Sequence, residues 1–254
     1  MRILGLQKLS LVDFPGKVAA TVFTGGCDLR CPFCHNASLV LPGRGTEELA
    51  AGAVLDFLAS RRGLLDGVVL SGGEPLLQPD AADFLAEVKA MGFDVKLDTN
   101  GCHPDALADI LDRRLADYVA MDIKNSLEKY PWTVGVPGFD TAPVERSARL
   151  LMEGPADYEF RTTLVRPFHE VGDMETIGRW LRGARRYYLQ AFVDSGDLVG
   201  GGCAPFTPEE MEGFLQAARP FSSRWPSGDF DDIWRKRRQP FSPVFSTSCE
   251  ILCF

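Results

Sequence analysis

The sequence lacks the features by which membrane-spanning, exported and nucleic-acid-binding proteins are recognised. No apolar run approaches the roughly 20 residues that a transmembrane helix needs. Basic residues are outnumbered, 27 against 35 acidic ones, and a net charge of −8 argues against nucleic acid or an anionic membrane as the main partner. Residues 1–17 carry polar side chains throughout and show no signal-peptide core. We therefore expect a cytoplasmic protein with no nucleic-acid and no membrane partner.

Histidine is scarce, with three in the chain, whereas cysteine is not. There are seven cysteines, and three of them follow one another closely in "CDLRCPFC" (residues 27–34). A disulfide framework suits neither an odd number of cysteines nor a reducing compartment. The three clustered thiols therefore predict metal binding or redox chemistry.

Apolar, β-branched runs alternate with amphipathic segments along most of the chain. Six such units with near-continuous apolar strands predict parallel pairing with helices outside the sheet. Six are too few for an eight-fold barrel, so the expected α/β fold is a partial (β/α)6 TIM-like barrel. The predicted strands are 17–23, 66–72, 93–99, 117–123, 158–165 and 185–192, and the predicted helices are 46–62, 79–92, 104–115, 141–153, 174–183 and 207–218.

The division of the chain follows from this rhythm. Residues 1–220 are predicted to form one domain, in which an N-terminal extension (1–16) precedes the partial barrel (17–220). Residues 221–254 carry a basic run and several prolines without an amphipathic period, and we expect an irregular tail there.

Polar residues and glycines recur where predicted strands end. In parallel α/β sheets the functional site lies at the carboxyl ends of the strands, so these residues predict one shared pocket. They are the cysteine motif, "SGGEP" (71–75), "DTNG" (98–101) and "MDIK" (121–124), together with Arg161 inside the fifth predicted strand and Gln190 in the sixth.

The thiols Cys27, Cys31 and Cys34 allow two kinds of metal site. Zinc would need a fourth ligand, which His35 could supply. A [4Fe–4S] cluster held by three cysteines would leave one iron open for a substrate. The spacing C-x3-C-x2-C differs from that of zinc knuckles, and His35 directly follows Cys34, so the pattern favours the cluster.

The motif "CDLRCPFC", which has an aromatic residue before its third cysteine, resembles the signature of the radical S-adenosylmethionine (SAM) superfamily. The resemblance implies a [4Fe–4S] cluster on the three cysteines. It also implies that the amino and carboxylate groups of SAM chelate the open iron. "SGGEP" resembles the second motif of that family, in which Gly72, Gly73 and Glu74 would meet the methionine amino group. The resemblance implies a radical SAM type of barrel and no catalytic residue beyond the cluster ligands.

The later motifs resemble the activases of glycyl-radical enzymes. In that branch Asp98, Thr99 and Asp122 would hold a monovalent cation against the SAM carboxylate. Lys124 would lie nearby, and Arg161 would reach the cofactor. Activases often carry "CHN" after the third cysteine, so His35 and the packing residue Phe33 are expected around the cluster rather than on it.

The opening segment "LGLQKLSLVDFPGK" with "CDLRCPFCHN" resembles the activating proteins of anaerobic ribonucleoside-triphosphate reductases. This implies a glycyl-radical enzyme of that kind as partner and a flavodoxin- or ferredoxin-type electron donor. Two alternatives stay open: a radical SAM enzyme acting on a small molecule, as carboxy-deazaguanine synthases do, and a non-enzymatic zinc-binding module. No role is assigned to the remaining cysteines, Cys102, Cys203, Cys249 and Cys253.

Overall fold

A seven-stranded sheet forms the centre of this computed structural model, which describes residues 1–43 and 45–221. The strands lie side by side in chain order; the first pair is antiparallel and every later pair is parallel. The six parallel strands confirm the predicted series of β/α units. The strands are β1 (Ile3–Ser10), β2 (Ala19–Thr24), β3 (Gly67–Gly72), β4 (Asp94–Thr99), β5 (Tyr118–Asp122), β6 (Asp157–Leu164) and β7 (Tyr187–Ala191).

Helices connect the parallel strands, and a further helix follows the last of them. Pro104 and Pro208 begin two of them, at the position where a missing amide hydrogen costs least. Thr207 and Glu210 form a capping box in front of the last long helix. The helices are α1 (Ala37–Val40), α2 (Ala51–Ala59), α3 (Ala81–Ala90), α4 (Pro104–Asp112), α5 (Tyr130–Thr133), α6 (Ala142–Glu153), α7 (Val171–Trp180) and α8 (Pro208–Ala218), with 3-10 turns at Pro75–Leu77 and Arg219–Phe221.

Two local expectations differ from the structure. Helix α2 begins at Ala51 rather than at Thr46, because the Thr46 hydroxyl donates to the Gly43 carbonyl over 2.9 Å and closes a turn. Strand β1 lies in the N-terminal extension (1–16), which is not among the predicted strands. It occupies the edge of the sheet and exposes Leu9, so its sequence does not show the continuous apolar run of the buried strands.

The core lies between the sheet and its helices. Every residue of β2 is buried, and burying one valine or leucine side chain contributes about 1.5–3 kcal/mol. Across the described ranges, no helix combines the length and apolarity required to cross a membrane. Residues 222–254, which include most of the predicted tail together with Cys249 and Cys253, lie outside the described residues.

Candidate active site at the carboxyl ends of the strands

The cysteine loop (residues 25–36) leaves the carboxyl end of β2 and is held by backbone hydrogen bonds to three other segments. The Gly26 amide donates to Leu39 O over 2.8 Å, and the Arg30 amide donates to Val134 O over 2.8 Å. From the segment after β7, the Gly200 amide donates to a carbonyl of the loop over 2.9 Å. The loop is therefore positioned by the fold before any cofactor binds.

The three thiols of this loop form no disulfide. Cys31 is buried, whereas Cys27 and Cys34 are half-buried. The Cys27 sulfur accepts hydrogen bonds from the Leu29 amide at 3.4 Å and from the Asn100 side-chain amide at 3.7 Å. Such N–H donors on ligand sulfurs tune the reduction potential of iron–sulfur clusters.

Burial raises the pKa of Cys27 and of Cys31 to about 12. The Glu74 carboxylate adds to the shift at Cys27, while the Lys124 ammonium opposes it at Cys31. Burial also raises the pKa of Cys34. Without metal the loop therefore carries neutral thiols, and metal binding would release their protons.

The donor set decides which metal centre fits. Within residues 1–43 and 45–221, no three His, Cys, Asp or Glu side chains are placed to hold a single metal ion. Three free thiols on one preformed loop, with an amide donor on a sulfur, match the ligands of a [4Fe–4S] cluster. The residues present therefore fit the cluster.

Phe33 and His35 lie in the same loop and close it from the side. Phe33 is buried, and its ring centroid lies 5.7 Å from that of Phe168 and 6.3 Å from that of His169. Burial lowers the pKa of His35, so its imidazole is neutral at pH 7, and its carbonyl accepts the Ser195 hydroxyl at 3.3 Å. These contacts make both residues part of the wall around the thiols.

The Gly-Gly-Glu turn (residues 72–74) lies against the cysteine loop. A Cβ on Gly72 would lie 2.3 Å from the Thr24 amide nitrogen, and one on Gly73 would lie 2.0 Å from the Gly26 oxygen. Two hydrogen bonds join the backbones at this approach, from Gly73 to Thr24 at 2.9 Å and from Glu74 to Gly26 at 2.8 Å. The close approach that the glycines permit is between these two protein segments.

Glu74 is fully buried and joins this turn to the end of β4. Its Oε1 accepts the Thr99 hydroxyl and the Leu76 amide, each at 2.9 Å, and its Oε2 accepts the Asn100 amide at 2.6 Å. Burial raises the pKa of Glu74 to about 7, against the effect of these hydrogen bonds. The turn, β4 and the cysteine loop thus form one connected wall.

Five charged side chains form the charged cluster of the site: Lys96, Asp98, Asp122, Lys124 and Arg161. Arg161 lies beside Asp122 in the strand register, and its Nε donates to Asp122 Oδ1 over 3.0 Å. Lys124 Nζ donates to the other oxygen of Asp122 over 2.9 Å. Asp98 Oδ1 lies 2.9 Å from Lys96 Nζ and 3.7 Å from Arg161 Nη1.

The charges of this cluster favour the ionised forms of Asp98, Asp122 and Lys124. Burial alone would raise the pKa of both aspartates, but Lys96 and Arg161 outweigh it at Asp98, and Lys124 and Arg161 outweigh it at Asp122. Both carboxyl pKa values therefore lie below their usual range. At Lys124 the Asp122 carboxylate outweighs burial and raises the pKa.

The structure brings most of the predicted site residues together on the side of the sheet toward the carboxyl ends of the strands. Two contacts differ from the expected cation site. The Thr99 hydroxyl donates to Glu74, and Asp98 and Asp122 are paired with lysine and arginine side chains. Gln190 lies on the same side of the sheet, and its side-chain oxygen accepts a hydrogen bond from the Thr163 hydroxyl at 3.4 Å.

Sequence reasoning assigns no individual role to Lys96 or to Asn100. Lys96 lies two positions before Asp98 in β4, and alternation along a strand places both on one face. The spacing of two residues therefore could have indicated that Lys96 lies beside Asp98. The Asn100 side-chain amide donates to both Cys27 and Asp28. These residues are 72 or more positions away in the chain, so no local sequence pattern predicts the contacts.

The model of the Radical SAM superfamily matches residues 21–166. A protein of Methanocaldococcus jannaschii with the provisional name glycyl-radical enzyme activating enzyme is 34% identical over 195 residues, which cover 74% of this chain and 78% of that protein. The pyruvate formate-lyase-activating enzyme of Clostridium pasteurianum is 37% identical over 129 residues, and the match spans about half of each protein, 49% and 52%.

Among solved structures, that of Streptococcus suis SuiB bound to S-adenosylmethionine matches with a TM-score of 0.61 and 14% identity, over 84% of this chain and 47% of that one. This likeness shows the fold and confirms the partial TIM-like barrel. The family implies a [4Fe–4S] cluster and SAM as cofactors. On the matched family model and the archaeal relative together, the chain belongs to the radical SAM superfamily, in the branch of the glycyl-radical enzyme activating enzymes.

Proposed function

We propose that the chain installs a glycyl radical on a partner enzyme. The observation that carries this proposal is the preformed loop of three free cysteines, together with a partly buried charged cluster on the neighbouring strands. Cys27, Cys31 and Cys34 would hold a [4Fe–4S] cluster, which would supply the electron for cleavage of SAM to methionine and a 5′-deoxyadenosyl radical. That radical would take a hydrogen atom from a glycine of the partner.

The residues around the thiols would bind and orient SAM. Charged groups that are already paired and partly dry, such as Asp122 with Arg161, need little rearrangement to receive the charged methionine end. The proposed SAM-binding residues are Gly72, Gly73, Glu74, Asp98, Thr99, Asp122, Lys124 and Arg161. The proposed radical SAM domain is residues 1–220. A monovalent cation beside Asp98, Thr99 and Asp122 stays a prediction from the resemblance.

The proposed partner is an anaerobic ribonucleoside-triphosphate reductase, with a flavodoxin or ferredoxin as electron donor. Its support is the resemblance of residues 4–17 and of the cysteine motif to activating proteins of those reductases. The relatives named for pyruvate formate-lyase match over about half their length. Pyruvate formate-lyase is therefore the comparison partner in the test.

The test mixes anaerobically reconstituted protein, SAM and reductant with each purified candidate enzyme, and records electron paramagnetic resonance spectra. A glycyl-radical signal with the reductase supports the proposal, and a signal with pyruvate formate-lyase alone replaces the proposed partner. Formation of 5′-deoxyadenosine without a radical on either enzyme would contradict both and favour a small-molecule substrate. A colourless protein with stoichiometric zinc would contradict the radical chemistry itself.

A further inference from the structure

We propose that the Lys96 ammonium supplies the fixed positive charge beside Asp98, so that this chain binds SAM without a monovalent cation. Lys96 is then a positioning residue, because it acts on the cofactor site through Asp98. The inference rests on the proposed function. It departs from the expectation that a cation lies beside Asp98, Thr99 and Asp122.

Lys96 is built into the barrel interior. The residue is 4% exposed, in the middle of β4, and its Nζ donates to the Asp13 carbonyl over 2.7 Å. The same nitrogen lies 2.9 Å from Asp98 Oδ1. A buried lysine is rarely tolerated without a paired charge, and these two oxygens hold the ammonium at one place.

The two oxygens of Asp98 have different partners: one lies beside the Lys96 ammonium, and the other accepts a hydrogen bond. Its Oδ2 accepts the Ser71 hydroxyl at 2.8 Å. Its Oδ1 accepts no hydrogen bond of good geometry from the described part of the chain, so the Lys96 ammonium at 2.9 Å acts on it as a charge. A metal cation at this oxygen would lie against that ammonium and be repelled by it.

The other two expected cation ligands are also engaged. The Thr99 hydroxyl donates to Glu74, and Asp122 accepts hydrogen bonds from Lys124 and Arg161. This donor set does not fit a monovalent cation.

The net charge of the charged cluster also argues against a bound metal cation. The charged cluster contains three cations and two carboxylates, which leaves one positive charge. One positive charge matches the single carboxylate of SAM. An added metal cation would leave two positive charges for that one carboxylate, in an environment where unpaired charge is costly.

The first experiment uses the wild-type protein. SAM binding is measured by anaerobic equilibrium dialysis, and 5′-deoxyadenosine formation is measured in parallel, in potassium chloride and in tetramethylammonium chloride. At equal ionic strength we expect the dissociation constant of SAM to differ by less than about twofold between the two salts, since screening is matched. A wild-type protein that needs potassium to bind SAM overturns the proposal.

The second experiment removes the ammonium in Lys96→Met. We expect SAM affinity to fall about 10- to 100-fold in tetramethylammonium, as for other groups that act through a ligand, and to recover in potassium, which then occupies the vacated place. Lys89→Met is the matched control, because Lys89 pairs with Asp117 on the outer surface. It should show neither change.

A Lys96→Met protein with unchanged SAM affinity in both salts also overturns the proposal, as does one whose lost affinity potassium does not restore. If the variant does not fold, the wild-type salt comparison still decides. Dialysis needs no turnover, so the outcomes separate. A protein that binds SAM equally in both salts but makes no radical on any partner contradicts the proposed function and leaves the role of Lys96 standing.

Discussion

Two regions meet at the carboxyl ends of the strands, and they are built differently. The cysteine loop and the Gly-Gly-Glu turn are joined by backbone hydrogen bonds, at a separation that leaves no room for a Cβ on Gly72 or Gly73. The charged cluster on β4, β5 and β6 is joined by ion pairs between side chains. The first region is sensitive to added volume, and the second is sensitive to a change of charge.

The difference concerns what each region must do. A loop that presents three thiols to one cluster needs fixed backbone positions, which close backbone packing provides. A surface that receives a charged cofactor needs fixed charges, which paired side chains in a partly dry site provide. Four substitutions test this contrast, from the largest expected effect to the smallest.

Cys31→Ala removes one proposed cluster ligand and should abolish 5′-deoxyadenosine formation, because two remaining thiols cannot hold the cluster in its place. The fold should survive, since the change shortens a single side chain. The measurements are iron content, visible absorption and product formation after anaerobic reconstitution. Cys203→Ala, which alters a cysteine outside the loop, is the control and should keep all three. Product formation by the Cys31 variant would contradict the cluster assignment.

Gly73→Ala tests the sensitivity to volume. A methyl group 2.0 Å from the Gly26 oxygen must push the turn away from the cysteine loop. We expect the free energy of unfolding to fall by about 3 kcal/mol, the upper range for overpacking, together with reduced iron incorporation. Urea unfolding and iron analysis measure both.

Gly172→Ala is the matched control for Gly73→Ala. Gly172 lies in α7, where a Cβ would have open space for 4 Å around it, and alanine favours a helix by up to about 1 kcal/mol. The substitution should be neutral or stabilising. Equal losses in the free energy of unfolding for Gly73→Ala and Gly172→Ala would show that the contact between Gly73 and the cysteine loop does not cause the destabilisation.

Asp122→Asn tests the sensitivity to charge at nearly constant volume. It removes the carboxylate that both Lys124 and Arg161 contact, while the Asp98 carboxylate lies farther from Arg161, at 3.7 Å. We expect a loss of about 1–2 kcal/mol in the free energy of unfolding, because the carboxylate is partly exposed and only part of the full penalty applies. Asp109→Asn breaks an exposed pair with Arg113 and should cost less than about 0.5 kcal/mol. A larger loss of stability for Asp109→Asn than for Asp122→Asn would contradict the proposed sensitivity of the charged cluster to a change of charge.

His169 connects the two regions and gives the smallest effect. Its Nε2 lies 2.8 Å from Lys124 O, its ring packs on Phe33, and burial lowers its pKa below the usual 6.5. As pH falls below 6.5, the unfolded chain binds this proton before the folded protein does. Stability should therefore fall with pH in that range.

His169→Gln removes that contribution. The slope of the free energy of unfolding against pH should become shallower below about pH 6.5, by at most about 1.4 kcal/mol per pH unit for one proton. The measurement is urea unfolding of the metal-free protein at several pH values. Parallel curves for variant and wild type would contradict the assignment.

Much of the fold can be predicted because the buried parallel strands are continuous apolar runs. The predicted strand 66–72 and β3 (Gly67–Gly72) differ by one residue. Strand β1 escapes prediction, because an edge strand with one exposed face has no such run. The residue type of Thr46 predicts a helix start, but its hydroxyl is used in a local turn.

The sequence by itself determined the family, the cysteine loop, the positions of Asp98 and Asp122 near strand ends and that of Arg161 within a strand, since motif spacing and strand alternation are local properties. Only the tertiary structure decided which groups neutralise each other. Lys96 reaches Asp98 along one strand, but Arg161 reaches Asp122 across 39 positions of the chain, and Asn100 reaches Cys27 across 73. Such pairings depend on the register between strands and on how far each site is buried, and neither quantity is written in a local stretch of residues.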